Sequence, residues 1–145
     1  MKRGEIRSSL IRTKIREIED GTSLVQANLP ATFAEFSRLG LIKDGIYKRM
    51  EFAIEDVYDI CAILNTDLSL GIPSEDEDIV DHLVTGRIIS ESLGMKVRSM
   101  KGFRNIVVHK YGAIDDHLAF EILRRNMHDF AAFTREIEDF LGKKA

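Results

Sequence analysis

The chain of 145 residues has a single cysteine, two prolines and no tryptophan, and it contains no long apolar run. Because Cys61 has no partner thiol, an internal disulfide is excluded, and its apolar helical surroundings predict a core position rather than a nucleophile. No segment approaches the ~18 apolar residues that a membrane span requires, and no signal-peptide pattern follows the N-terminus. We therefore expect a protein of the reduced cytoplasm that does not contact a membrane.

An excess of basic residues is also lacking, since the formal net charge is −3. Proteins that coat nucleic acid through their overall field are usually basic, so this balance argues against that class while it leaves room for a local basic groove. The hydrophobic fraction of 44% and the length are typical of one domain with its own core. We therefore treat residues 1–145 as a single domain.

Apolar residues recur at helical spacing through most of the chain, and both prolines fall between the periodic segments. The first predicted helix covers about residues 5–26, and Ile6 and Leu10 are expected to widen its apolar face. The buried stripe of this helix is predicted to consist of Ile11, Ile15, Ile18 and Val25.

Start and stop signals place two further helices in the first half of the chain. Thr32 and Glu35 form a capping-box pattern that opens a short helix carrying two phenylalanines, and Gly40 can end that helix in left-handed geometry. Asp44 is the predicted cap of a long third helix that reaches about residue 64.

The second half of the chain predicts three more helices. Residues 74–77 form another capping-box pattern, with Ser74 as the cap, and the helix that it opens ends near Gly86. Ser90 caps the fifth helix and Asp115 caps the last. The expected stripe of the fifth helix consists of Leu93, Val97, Met100, Phe103 and Val107. That of the last includes Leu118, Ile122, Phe130, Phe133, Ile137 and Phe140. The predicted fold class is all-α, an antiparallel bundle of about five to six helices.

Three of the four histidines show no spacing typical of metal ligands. His82, His117 and His128 are expected to be solvated surface residues, and the acids at 75–78 are explained by helix capping. We therefore expect neither a metal nor a cofactor.

The segment 102–111 carries the residues best suited to chemistry. Arg104 can grip a phosphate through two parallel hydrogen bonds, and His109 can move a proton near neutral pH. On a straight helix these two side chains project about 140° apart. Lys101 and Asn105, however, share one ridge with His109, so that Arg104 borders a polar edge beside the apolar stripe. Cleavage of RNA by its own 2'-hydroxyl benefits from both a base and an acid. Because one chain supplies a single such imidazole, we expect a two-fold dimer with a composite site.

Structural roles for these residues stay open on chemistry and spacing alone. Arg104 could be a surface residue in an ion pair, and His109 could cap the end of its helix. Tyr111 could be a core aromatic whose hydroxyl reaches water.

The pattern Arg104-Asn105-x-x-x-His109-x-Tyr111 resembles the signature of the HEPN superfamily, and in particular that of its HepT branch. The segment 47–55 also resembles the third-helix region of that family. The resemblance implies a small helical toxin of a prokaryotic toxin-antitoxin pair, whose partner is a minimal nucleotidyltransferase antitoxin.

Members of that family act as metal-independent ribonucleases in homodimeric form, so the resemblance implies an RNA substrate. It makes Arg104 and His109 the active-site residues and Tyr111 the residue that the antitoxin modifies with AMP. We expect Asn105 and Lys101 to bind or orient the substrate. The alternative is a non-catalytic binding module that docks a nucleotidyltransferase or a nucleotide, because a fold does not guarantee an activity.

Overall fold

The computed structural model describes residues 5–108 and 114–144, and every regular element in this part of the chain is a helix. The helices are α1 (Ser8–Asn28), α2 (Phe33–Phe36), α3 (Leu41–Asp67), α4 (Asp76–Thr85), α5 (Glu91–Val107), α6 (Asp116–Asn126) and α7 (His128–Lys144). This architecture confirms the predicted all-α class. None of the described helices combines the length and the apolar character that a membrane crossing demands.

The long helices α1 and α3 form the main pair of the bundle, and their contacts show that they run antiparallel. At one end, Arg7 at the start of α1 donates through its backbone N–H and its guanidinium to the buried carboxylate of Asp67, at 3.0 Å each. At the other end, Leu24 and Ile42 line one cavity. Helix α5 then packs against α3, α4, α6 and α7, and α7 returns to α1.

The predicted apolar stripes form the core. The stripe residues of α1 are at most 3% exposed, and those of α5 are at most 7% exposed. Two expected stripe members lie outside it, because Leu10 is 41% and Leu118 is 44% exposed. Leu10 precedes the buried Ile11 and points off the face that meets α3. In α6 the buried face consists of Ala119, Phe120 and Leu123, and Leu118 lies outside it.

Three predicted capping residues accept hydrogen bonds from the first turn of their helix. The side chain of Thr32 accepts from the Glu35 N–H, that of Ser90 from Leu93, and that of Asp115 from Leu118. These caps are local interactions, and they therefore occur where the sequence pattern predicts them.

Two other predicted caps are displaced, by four residues in α3 and by one residue in α4. Helix α3 begins at Leu41 after Gly40, whose φ of +58° an L side chain rarely adopts, so Asp44 lies in the first turn rather than at the cap. Helix α4 is capped by Glu75 instead of Ser74, and Asp78 closes the box through the backbone of Glu75.

The predicted last helix is two helices. It breaks at Met127, where α6 ends and α7 begins without a proline or a glycine. The Asn126 amide donates to the buried carboxylate of Asp129 at 3.4 Å across the break. The described part of the chain accordingly has seven helices, one more than the upper end of the prediction.

Cys61 is fully buried, as its surroundings predict, whereas the histidines divide into two groups. The rings of His117 and His128 are exposed. His82 is half-buried, with Nδ1 2.8 Å from Oδ1 of Asn65, so the expectation of a solvated residue was wrong for this histidine. Asn65 also donates to the Gly71 carbonyl oxygen at 2.9 Å, and it thereby links α3, the following loop and α4.

Candidate active site

The last turns of α5 present the first part of the predicted motif. Phe103 and Val107 are buried against the bundle, and this fixes the rotation of the helix about its axis. As a result, Lys101 and Arg104 are half-buried at the border of the core and Asn105 is exposed. These three residues lie on one polar edge of α5, as their spacing predicts.

Arg104 lies over an aromatic ring of the neighbouring helix. Its guanidinium carbon is 5.9 Å from the ring centroid of Tyr58 on α3, a geometry in which the ring face attracts a cation. The hydroxyl of Tyr58 donates to the Val97 carbonyl oxygen of α5 at 3.0 Å, and burial raises the pKa of this phenol. The ring that supports Arg104 is therefore itself held to α5.

Ion pairing separates Arg104 from two other cations of α5, Arg98 and Lys101. Arg98 pairs with Asp81, and Lys101 Nζ lies 3.2 Å from Glu77 Oε1. Arg104 forms no ion pair with any carboxylate of the described residues, although it is half-buried. A guanidinium in this position is available to bind an anion.

The ammonium group of Lys101 pairs with acidic residues in the first turn of α4. This group donates to Glu77 and lies 3.6 Å from the carboxylate of Asp76. The hydrogen bond to Glu77 and the charges of the two acids raise the pKa of Lys101. To bind a phosphate, this ammonium would have to leave both carboxylates or share its charge with them.

The second part of the motif lies outside the described residues, and it includes both His109 and Tyr111. The described chain resumes at Ile114, whose side chain packs against the core. Two residues later, Asp116 is fixed to α3 by Tyr47, whose hydroxyl donates to Oδ1 at 2.5 Å, and by Lys43, whose Nζ is 2.8 Å from Oδ2.

The contacts between Lys43, Tyr47 and Asp116 shift the pKa values of the phenol and of the carboxyl group. Burial and the Asp116 carboxylate raise the pKa of Tyr47. Burial acts to raise the pKa of Asp116, but hydrogen bonds from Lys43 and Tyr47 outweigh it, so the net shift is downward. The phenol therefore stays neutral and Asp116 stays charged across the physiological range.

Sequence reasoning gave no role to Tyr47, Tyr58 or Lys43. All three belong to α3, and each reaches a residue that is distant in sequence on α5 or α6. Helical spacing places the two tyrosines on or beside the apolar stripe, but it does not say which helix they meet. In the described part of the chain, no three His, Cys, Asp or Glu residues are grouped so that they could hold a metal ion.

Comparison with proteins of known sequence identifies relatives over most of the chain. Residues 11–137 match the family described as HepT-like ribonucleases. The mRNA nuclease HepT of Shewanella oneidensis is 25% identical over 100 residues, which cover 69% of this chain and 75% of the relative. A putative RNase of Archaeoglobus fulgidus is 30% identical over 99 residues, which cover 68% and 74%.

Solved structures have the same fold. One is a tri-AMPylated HEPN toxin of Shewanella oneidensis in complex with its MNT antitoxin. It superimposes with a TM-score of 0.79 at 24% identity, over 89% of this chain and 96% of that one. Together with the match over residues 11–137, these similarities lead to one conclusion. The chain belongs to the family of HepT-like ribonucleases.

Proposed function

We propose that this chain is a metal-independent endoribonuclease toxin, with Arg104 and His109 as its catalytic residues. The observation that carries the proposal is Arg104, a half-buried cation that lies over the Tyr58 ring and pairs with no described carboxylate. Membership of the HepT-like ribonuclease family gives this anion site its substrate class, a phosphodiester of RNA.

The reaction needs a proton acceptor, a proton donor and a cation at the phosphate. The 2'-oxygen of the RNA attacks phosphorus as its proton leaves to a base, and the bond from phosphorus to the 5'-oxygen breaks as that oxygen gains a proton. The products are a 2',3'-cyclic phosphate and a free 5'-hydroxyl. His109 supplies the acid-base function, and Arg104 stabilises the charge that develops on the phosphoryl oxygens.

Two proton transfers are better served by two imidazoles than by one. A two-fold dimer that places the ends of both α5 helices along one groove supplies two copies of His109 and of Arg104. Asn105, exposed on the same edge, then orients the phosphate or the imidazole. Lys101 binds or orients the phosphate when it leaves the carboxylates of Glu77 and Asp76 or shares its charge with them.

Regulation by a nucleotidyltransferase completes the proposal. The Shewanella toxin of the same fold is tri-AMPylated in its complex with an MNT antitoxin. On this chain the corresponding acceptor is Tyr111, the motif phenol seven residues after Arg104. AMP at that position adds negative charge and bulk where the RNA backbone must lie, and Arg104 can pair with the added phosphate.

A second candidate is a non-catalytic module that docks a nucleotidyltransferase. It is favoured by the solved neighbours of the same fold that are toxin-antitoxin complexes. This candidate predicts partner binding without cleavage of RNA.

An RNA cleavage assay in the presence and absence of a chelator tests the proposal. Arg104→Ala should reduce the rate by roughly 10²–10³-fold, and His109→Ala by roughly 10²–10⁴-fold. Cleavage should persist in chelator and leave a cyclic phosphate.

Arg124→Ala is the control, because Arg124 also lies in the last turn of a helix and its side chain is exposed. It should cleave at the wild-type rate. Full activity of the Arg104 or His109 variant would refute the assignment of these residues. A strict metal requirement would refute the metal-free mechanism, and folded protein without any cleavage would favour the docking module.

A further inference from the structure

A groove runs along the outer seam between α1 and α3, away from the polar edge of α5. It consists of two open cavities of about 400 and 190 Å³ that share Arg49 as a common wall. On α3 it follows one continuous stripe, formed by Ile42, Gly45, Arg49, Phe52, Asp56 and Asp59. Over this stripe α3 rises about 26 Å, which corresponds to about five helical turns.

The groove is hollow because two positions on its walls have no side chain. Gly21 on α1 and Gly45 on α3 both line it. A Cβ atom added to either residue would meet nothing within 4 Å. Side chains from outside therefore have room to enter between the two helices.

One half of the groove displays large apolar side chains to solvent. Leu24 is 47% and Ile42 is 50% exposed on either side of this half. Phe52, which is 48% exposed, extends the apolar surface past Arg49 into the other half. Grouped apolar side chains that stay exposed on a folded chain indicate a surface that another molecule covers.

The other half is acidic. Five carboxylates line it against one guanidinium, that of Arg49. Lys14 at its edge lies 3.2 Å from Asp59 and 3.8 Å from Asp56. Burial and a hydrogen bond with Glu17 raise the pKa of Asp56 to about 7, which reflects how closely the acids crowd.

Charge selects among the molecules that could occupy the groove. RNA phosphates would face the same acids and be repelled. A second copy of the chain, paired through this groove by a two-fold axis, would set the acidic half of one copy against either the acidic or the apolar half of the other, and neither arrangement brings a cationic surface to the acids. A segment that carries both cations and apolar side chains complements both halves.

We propose that the α1–α3 groove docks a basic amphipathic helix of a protein partner. Its apolar side chains enter the space over Gly21 and Gly45, and its lysines or arginines pair with the acidic half. This docking site is independent of the proposed nuclease function, since it shares no residue with the motif.

Fluorescence anisotropy with the full chain tests the proposal. The probe is a designed peptide of about five helical turns, with leucines on one face and lysines beside them. It should bind at least roughly tenfold more tightly than a scrambled peptide of the same composition. Both measurements are made without RNA, so that failure here is distinct from failure of the nuclease proposal.

Variants of the chain locate the binding. Gly45→Leu fills the groove from a position with open space and should weaken binding roughly tenfold. If that variant folds poorly, Ile42→Gln removes an exposed apolar contact instead and should weaken binding in the same direction.

The acidic half has a matched control. Asp20→Asn combined with Glu55→Gln removes two groove charges and should weaken binding severalfold. Glu19→Gln combined with Asp139→Asn removes two exposed charges outside the groove and should leave binding within roughly twofold of wild type.

Three results would overturn the proposal. The first two are equal binding of the scrambled peptide and equal weakening by the control pair. The third is a self-association of the wild-type chain that Gly45→Leu abolishes, because the occupant would then be a second copy.

Discussion

Among the single residues, Arg104 combines a contact with an aromatic ring and the absence of an ion pair with any described carboxylate. Two other cations of the same helix, the Arg98 guanidinium and the Lys101 ammonium group, pair with carboxylates of α4. Arg104 instead lies over the Tyr58 ring, which attracts its charge without neutralising it. The cation thus keeps its capacity for a phosphate.

Modification of Tyr111 is the first prediction for a single residue. Incubation with a cognate nucleotidyltransferase and ATP should add AMP units to the wild-type chain, visible as discrete steps in its intact mass. Tyr111→Phe should keep RNA cleavage and escape both the mass increase and the loss of activity. Addition of AMP to another residue, or to none, would remove the regulatory role from Tyr111.

Asp56 gives the second residue-scale prediction. Its pKa is raised in the folded chain to about 7, so ionisation of Asp56 lowers the free energy of unfolding progressively from about pH 4 to that value, and the loss is complete above it. Asp56→Asn mimics the protonated acid, and it should add on the order of 1 kcal/mol to the free energy of unfolding at pH 8. Near pH 4 the gain should vanish.

Urea denaturation at several pH values measures this gain. Asp59→Asn is the control, because Asp59 is more than half exposed and pairs with Lys14. It should give no gain at pH 8. A constant effect of Asp56→Asn at every pH would show that the shifted ionisation is not its cause.

Among the helices, the sequence predicts those features that depend on interactions between residues close together in the chain. The caps at Thr32, Ser90 and Asp115 depend on hydrogen bonds within three residues, and all three are present. The break at Met127 was missed because no glycine or proline marks it. Besides α5, the two helices pack against different partners, α6 against α2 and α7 against α1, and the periodicity of the sequence does not show this difference.

The candidate site divides in the same way. The spacing of Lys101, Arg104 and Asn105 predicts their common edge of α5, which the structure confirms. It could not predict that Glu77 engages Lys101 or that Tyr58 supports Arg104, because these partners are distant in sequence. Contacts between helices require the tertiary fold, which local patterns do not contain.

Two glycines of α5 give a prediction for helix packing. A Cβ on Gly94 would lie 2.7 Å from Cγ2 of Val84, a stiff β-branched side chain of α4, whereas one on Gly102 would meet nothing within 4 Å. Gly94→Ala should therefore lower the free energy of unfolding by about 1 kcal/mol or more. Gly102→Ala should raise it by about 0.5–1 kcal/mol.

Thermal and urea unfolding of both variants distinguish the two effects. Replacing glycine by alanine should lower the free energy of unfolding at Gly94 and raise it at Gly102. The pair of variants therefore separates the effect of packing from that of helix propensity. Destabilisation by both variants would mean that the contact with α4 is not what sets the cost at Gly94.

At the scale of the whole molecule, we expect a two-fold dimer whose α5 ends face one groove. Light scattering coupled to size exclusion should give twice the mass of one chain for the active species. Mixing Arg104→Ala with His109→Ala should form heterodimers that retain one Arg104 and one His109, and partial activity should return. A stable, fully active monomer would contradict the composite site, as would a dimer that places the two Arg104 side chains on opposite outer faces.

The tyrosines of α3 have an optical consequence. The chain has no tryptophan and three tyrosines, so tyrosine dominates its near-ultraviolet absorption. Burial holds the pKa values of Tyr47 and Tyr58 above the ordinary value for a phenol. The raised pKa values therefore stabilise the folded chain at a pH below the ordinary pKa of a phenol. This contribution to the free energy of unfolding is lost as the pH rises above that pKa. In alkaline solution these two phenols ionise when the bundle opens, so that the absorbance of phenolate reports unfolding without any added label.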